Sequence, residues 1–430
     1  MKKITLIFLL TILLIAFSPP VFSFENDGSN RDKDTIYTWK DALSYCENLI
    51  LGGYADWRLP NTKELESIVD LESGSPAIDT TYFPNTNYTP YIPGEDKNDG
   101  LYWTGTTCSG CHKMKALAVD FEDGELFYGN KYRNDVYDKN YVRCVRTSDT
   151  TPILPDTGQD LCYDWENLMD ECPSEGEDFY GQDGNYTINP PDLTDNGNGT
   201  VTDKLTGLIW EQRTEENEAN TYTYNDAITY CGDLMLGGYD DWRIPTRKEY
   251  STILNYGRVS PSLDMDYFPY YTSGGSNLAY YWTGSEYHDD PSQVWLLRLA
   301  FGLIDKIPKT PDLYRVRCVR GTTEPAASYT DNGDGTVTDN VTGLMWEQKT
   351  VSSQLCTVEE IYGEDSEEVE ALRFFRNNVM NKTPEGQEFI RLYYEWSPVI
   401  VKAMEEDERF KLEIKEIIDG ILPLVDSQIK

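Results

Sequence analysis

Leu51-Gly52-Gly53-Tyr54-Ala55-Asp56-Trp57-Arg58-Leu59-Pro60 returns as Leu236-Gly237-Gly238-Tyr239-Asp240-Asp241-Trp242-Arg243-Ile244-Pro245, and both copies sit in the same surroundings. Tyr45-Cys46 and Tyr230-Cys231 precede them. Tyr-Phe-Pro follows at 82–84 and 267–269, then Tyr-Trp-Thr-Gly at 102–105 and 281–284. Each copy closes on Val-Arg-Cys-Val-Arg, at 142–146 and 316–320. One constant offset relates the copies from Trp39 and Tyr224 through Pro84 and Pro269; beyond that they differ in length. A duplicated module organises the chain.

Each copy carries the signals of two helices. Thr38-x-x-Asp41 and Thr223-x-x-Asp226 are N-capping pairs, and Trp39, Ala42, Cys46 and Leu49 fall on one face at helical spacing. Tyr224, Ala227, Cys231 and Leu234 repeat that face. The Gly-Gly pair is expected to end this helix, because glycine tolerates the left-handed residue of a C-cap. Asn61-x-x-Glu64 and Thr246-x-x-Glu249 are capping boxes for a second helix. Short alternating strands are expected after it, at 116–121 and 294–301. Trp57 and Trp242 read as core aromatics. Arg58 and Arg243 are expected to pair with a carboxylate such as Asp56 or Asp241.

A second repeat is laid over the first. Thr-Asp-Asn-Gly-x-Gly-Thr-Val-Thr-Asp occurs at 194–203 and 330–339, followed by Thr-Gly-Leu-x-Trp-Glu-Gln at 206–212 and 342–348. Asn-Gly and Asp-Gly turns between alternating strands predict two successive hairpins, forming a double hairpin in each copy. The Asp/Asn/Gly spacing lacks the ligand pattern of an EF-hand, so turn chemistry explains it. The first module has no double hairpin before it, and the one at 329–349 has no module after it. A lone unit of this length is barely stable, so it is expected to fold back onto an exposed edge of one of the modules.

Lys2 and Lys3, an apolar run at 4–17 and small residues near Ser23 read as a signal peptide. The organisation is then a signal peptide at 1–23, a first module at 35–146, a disulfide-containing linker at 147–192, a second module at 193–320, the orphan double hairpin at 329–349 and a tail at 355–430. Glycine becomes scarce in the tail. Ser366, Thr383-Pro384 and Ser397-Pro398 open helices there, which predicts a small all-α C-terminal domain. No transmembrane segment is expected after signal cleavage.

Nine cysteines in an exported chain read as disulfides. The repeat pairs Cys46 with Cys144 and Cys231 with Cys318, each joining the first helix to the last strand. Loops of that length would contribute about 4–5 kcal/mol in the chain-entropy picture. Cys108/Cys111 and Cys162/Cys172 remain as local pairs, leaving Cys356 free or processed. No metal site is expected: the chain has only two histidines, and calcium is supported by no motif.

The formal net charge of −37 repels phosphate backbones and anionic lipids, which argues against nucleic acid as a partner. With so few histidines, nucleophile–base catalysis has little to work with, and no catalytic residue is assigned. A hydrolase built on paired carboxylates is the remaining enzymatic reading, and a structural surface spacer is another. The ligand candidates lie where the modules differ: Tyr88, Tyr91, Glu95, Asp96 and Asp99 in the first, and Tyr270, Tyr271, Tyr287 and Asp289 in the second. Tyrosine beside aspartate on loops suits stacking on sugars and hydrogen bonding to hydroxyls.

The ordered set Asp-Asn-Gly-Asp-Gly-Thr-Val-Thr-Asp, Thr-Gly-Leu-Met-Trp, Gly-Gly-Tyr-Asp-Asp-Trp-Arg-Ile-Pro-Thr, Tyr-Trp-Thr and Val-Arg-Cys-Val-Arg resembles the Lcl C-terminal domain family, which ends the legionella collagen-like adhesin. The resemblance covers most of 35–349. It implies an α+β fold of two C-type-lectin-like modules on a secreted or cell-surface protein that adheres to an extracellular glycan or protein ligand. The tail resembles the CFI-box C-terminal domain of exported bacterial proteins through Cys356, Tyr362-Gly363, Leu372-Arg373-x-Phe375-Arg376 and Thr383-Pro384-x-Gly386, which implies a sorting or surface role.

Overall fold

The computed structural model describes residues 36–429 except 85, 89–100, 112, 132–138, 149–153, 216, 218–219, 270–279, 310–311, 323–324, 349–356, 364–365, 367, 370, 373–374, 376–399, 402 and 405–406. It is a mixed α/β chain of small antiparallel sheets and few helices, with two repeated domains. The first module opens with α1 (Trp39–Glu47) and α2 (Thr62–Ser67). Strands β1 (Leu101–Thr107), β2 (Lys115–Asp120) and β3 (Leu126–Asn130) then form a three-stranded meander, and β4 (Val145–Thr147) closes the module.

The double hairpin at 193–211 supplies β5 (Leu193–Asp195), β6 (Thr200–Asp203) and β7 (Ile209–Glu211). The second module repeats the plan with α3 (Tyr224–Gly232), α4 (Arg247–Ile253), the meander β8 (Tyr280–Glu286), β9 (Gln293–Arg298) and β10 (Leu303–Pro308), and β11 (Val319–Arg320). A further double hairpin gives β12 (Tyr329–Asp331), β13 (Thr336–Asp339) and β14 (Leu344–Glu347). In the tail, α5 (Thr357–Tyr362) and α6 (Glu408–Ile429) are described. They share a cluster with Val369, Leu372, Val401 and Met404.

The local signals act as their chemistry dictates. Thr38 and Thr223 accept from the backbone N–H of Asp41 and Asp226, and both capping boxes close. The Gly-Gly pair, however, does not cap the first helix. α1 ends at Glu47 with Asn48 as its cap, and Gly52-Gly53 is the turn of a tight bridge between Leu51 and Tyr54. Both glycines have positive φ, as does the pair Gly237-Gly238. The first of each pair has no room for a side chain: a Cβ on Gly52 would meet Asp334 and Thr336 at 2.9 Å, and one on Gly237 would meet Thr200 at 2.8 Å. The turn is shaped to receive a double hairpin.

These strand pairings explain the odd order of the chain. β7 pairs with β11, so the double hairpin at 193–211 serves the second module, which follows it. β14 pairs antiparallel with β4, Trp346 opposite Val145, so the double hairpin beyond the second module reaches back to complete the first. The two docks are chemically alike. Glu347 accepts from Tyr45 Oη at 2.7 Å and from the Cys144 N–H at 3.1 Å; Glu211 accepts from Tyr230 Oη at 2.7 Å and from the Cys318 N–H at 3.0 Å. Tyr329 packs on Tyr82 and Phe83 of the first module.

Four disulfides are formed: Cys46–Cys144, Cys231–Cys318, Cys108–Cys111 and Cys162–Cys172. Cys356 lies outside the described residues. The segment between the modules is packed rather than extended. Phe179 lies against Trp39 and Trp165, and the Gln159 amide pairs with the backbone of Thr107 like an added strand residue. The modules share one core, in which Leu65, Ile68 and Val69 meet Tyr250, Ile253 and Leu254. Among the described residues, no helix is long and apolar enough to cross a membrane.

Candidate functional site

In the repeated stretch the polar side chains are taken up by structural partners. Trp57 and Trp242 are buried and donate Nε1–H to the carbonyls of Leu51 and Leu236, at 3.1 and 3.2 Å. Arg58 forks onto both oxygens of Glu64 at 2.6 Å, and Arg243 does the same with Glu249. The partner is therefore the capping-box glutamate, not the neighbouring aspartate. Its carboxylate reaches back over the helix start and so faces the arginine. Asp56 and Asp241 instead take the closing-strand arginines, Arg146 and Arg320, at 2.7 and 2.6 Å. Those guanidinium groups lie 3.7 Å over the rings of Tyr54 and Tyr239.

The other repeated motifs are used in the same way. Gly105 and Gly284 sit at a register shift in β1 and β8 and donate their N–H to the carbonyls of Pro60 and Pro245. Arg143 and Arg317, the first arginine of each Val-Arg-Cys-Val-Arg motif, are buried under Phe83 and Phe268 and donate to the carbonyls of Glu347 and Glu211. Their side chains lie within the fold, where no outside molecule reaches them.

The ligand candidates are placed unequally. Tyr88 is 38% exposed, where the chain leaves the Tyr-Phe-Pro turn. Tyr91, Glu95, Asp96, Asp99, Tyr270 and Tyr271 lie outside the described residues. Tyr287 is half-buried, edge-on to Trp295, with Lys306 4.6 Å over its ring. Its hydroxyl donates to Asp289 at 3.1 Å, and burial pushes it up to about 12. Lys306 pairs in turn with Asp123 and Glu125 of the first module. Asp289 is exposed and faces Gly74. The Tyr287–Asp289 turn thus lies at the junction between modules. Among the described residues, no group of three or more His, Cys, Asp or Glu could hold a metal ion.

A family model described as Lcl C-terminal domain matches residues 25–146 and 199–320, more than half of the chain. The chain belongs to the Lcl C-terminal domain family. A search of curated proteins found no match. Neither matched stretch includes 329–349, although β12–β14 form one sheet with the last strand of the first Lcl domain.

The two Lcl domains face each other across α2 and α4, and equivalent residues exchange equivalent bonds. Lys63 Nζ donates to the carbonyl of Thr252 at 2.9 Å, and Lys248 Nζ to that of Ser67 at 3.1 Å. Lys63 also donates to the carbonyl of Asp156, and its burial lowers it to about 8. The Glu66 carboxylate takes Arg247 Nη2 on one oxygen and Ser251 Oγ on the other, both at 3.0 Å. A cavity of about 210 Å³ lies beside this polar cluster, and both double hairpins contribute to its wall. Sequence reasoning missed these residues. The available signal was Arg247 on the first turn of a capped helix whose twin carries Thr62.

Proposed function

We propose that this chain is an exported, surface-displayed binding protein of the adhesin type, with two C-type-lectin-like modules whose divergent stretches at 85–100 and 270–279 meet an extracellular glycan or protein ligand. One observation supports this most: the repeated polar residues are bonded inside the fold, while the modules diverge between Tyr-Phe-Pro and Tyr-Trp-Thr-Gly, where tyrosines and aspartates collect. Function on a rigid scaffold concentrates in such loops. The four disulfides and family membership fit a life outside the cytoplasm. The helical tail reads as an all-α sorting-type domain.

The net charge of −37 selects against sulfated polysaccharides and favours neutral or cationic ligands. The test is a glycan array probed with the mature full-length protein, with and without EDTA, alongside Tyr88→Ala and Tyr91→Ala. Binding that is lost in the loop variants while their melting temperature holds supports the reading. Absence of binding to any glycan or surface protein would leave a spacer, and turnover of a glycan would make the chain an enzyme.

A further inference from the structure

The opening helices of the two modules differ in what lies on their outer face. In the first module the segment between the modules runs along α1. Asp178 pairs with Lys40 at 2.6 Å, Phe179 lies under Lys40 and against Trp39, and Tyr186 donates to Glu47. Lys40, Leu43 and Glu47 share one helical face. Leu43 is left 1% exposed, in a cluster with Trp165 and Phe179. Just past the helix, Ile50 packs on the apolar cluster of the C-terminal tail.

The second module keeps the apolar residues and lacks their cover. Ile228 stands in Leu43's place and is 43% exposed; Met235 stands in Ile50's place and is 76% exposed. Asn225 and Gly232, in the places of Lys40 and Glu47, are exposed as well. One exposed apolar side chain is ordinary. Here two are exposed at the positions that the twin module seals with another segment, which marks the face as a seat.

The local charge decides what suits that seat. α3 carries no basic residue, and exposed Asp226 and Asp233 flank its open face, with exposed Asp240 in the turn beyond. The cation that meets Asp178 on α1 is replaced by Asn225. An acidic segment like the one on α1 is therefore repelled, and so is a second copy of this chain, whose net charge is −37. We infer that the outer face of α3, with Met235, docks a basic segment of a partner protein, which sets an aromatic anchor on Ile228 as Phe179 is set on α1. The face is separate from the divergent stretches at 85–100 and 270–279 and does not depend on what they bind.

The probe is a synthetic peptide of residues 175–186 carrying Glu175→Lys, Glu177→Lys and Asp178→Lys, titrated by calorimetry into the full mature chain at fixed ionic strength. It binds with unit stoichiometry, and added salt weakens it. Ile228→Ser with Met235→Ser weakens it about tenfold or more, the scale of one buried aliphatic side chain, at unchanged charge and melting temperature. Phe179→Ala in the peptide has the same effect, and the unsubstituted acidic peptide binds at least tenfold more weakly than the basic one. The proposal is overturned if the basic peptide does not bind, if the acidic one binds as tightly, or if the serine variant leaves the affinity unchanged. It is also overturned if sedimentation shows the chain pairing with itself and Met235→Ser dissolves the pair. A failed glycan array would leave this docking face standing.

Discussion

Asp183 is fully buried between the hydroxyls of Thr106 and Thr157, which donate to its Oδ2 at 2.6 and 2.7 Å. Burial, with Asp156 nearby, pushes it up to about 7 from 3.8. The folded protein therefore keeps a proton that the unfolded chain releases. The stability this gives is full below about 4 and is lost as pH rises through about 7. Asp120, also pushed up to about 7 by burial, works in the same direction. Asp183→Asn keeps an acceptor for both hydroxyls. Its melting temperature should exceed the parent's at pH 8 and match it near pH 4; a constant gap would remove Asp183 from the titration. The two carboxylates of the repeated stretch should separate as sharply. Glu64→Gln breaks a buried two-point arginine pair and should cost about 3–5 kcal/mol in urea unfolding. Asp56→Asn, at a carboxylate 62% exposed, should cost about 1 kcal/mol or less. Sequence alone made both arginines ion-paired but not with which acid. The choice turns on the helix-cap geometry that brings Glu64 back towards Arg58, and composition does not carry it.

Strand β14 is the element on which the first module depends. It supplies Trp346 opposite Val145 and the glutamate that takes Tyr45 and Cys144. Glu347→Ala leaves a buried N–H and a buried hydroxyl without an acceptor and should destabilise the first module by about 2–3 kcal/mol. Glu211→Ala should do the same to the second. Hydrogen exchange at the two closing strands distinguishes them; protection lost equally in both modules by either variant would refute the pairing. Periodicity, caps and turn residues made α1–α4, one strand of each meander (β2 and β9) and the double hairpins legible beforehand. The destination of the last double hairpin was not, because two modules with the same closing strand offer the same edge. Only occupancy of β11 by β7 leaves β4 as the open one.

At the scale of the whole molecule, the two modules are packed on one shared core. The shared core, the Lys63 and Lys248 exchange and the Arg247–Glu66 pair would all be opened by separating them. A fragment ending at residue 146 should therefore fail to fold. A rearranged chain with 329–349 joined ahead of residue 35 should regain native disulfides, read by peptide mapping. Recovery of Cys46–Cys144 without that double hairpin would contradict this. The cavity between the double hairpins was invisible from the sequence for a related reason. Its lining comes from six separate stretches, which only the folded chain brings together.

The β4–β14 pairing also fixes an order of completion during synthesis. A chain that emerges from its N-terminus can close the second module as soon as residue 320 is out, whereas the first waits for residue 347. The module made first is finished last. Translation products that stop short of β12–β14 therefore keep an unsealed β4 edge, open to pairing with other strands.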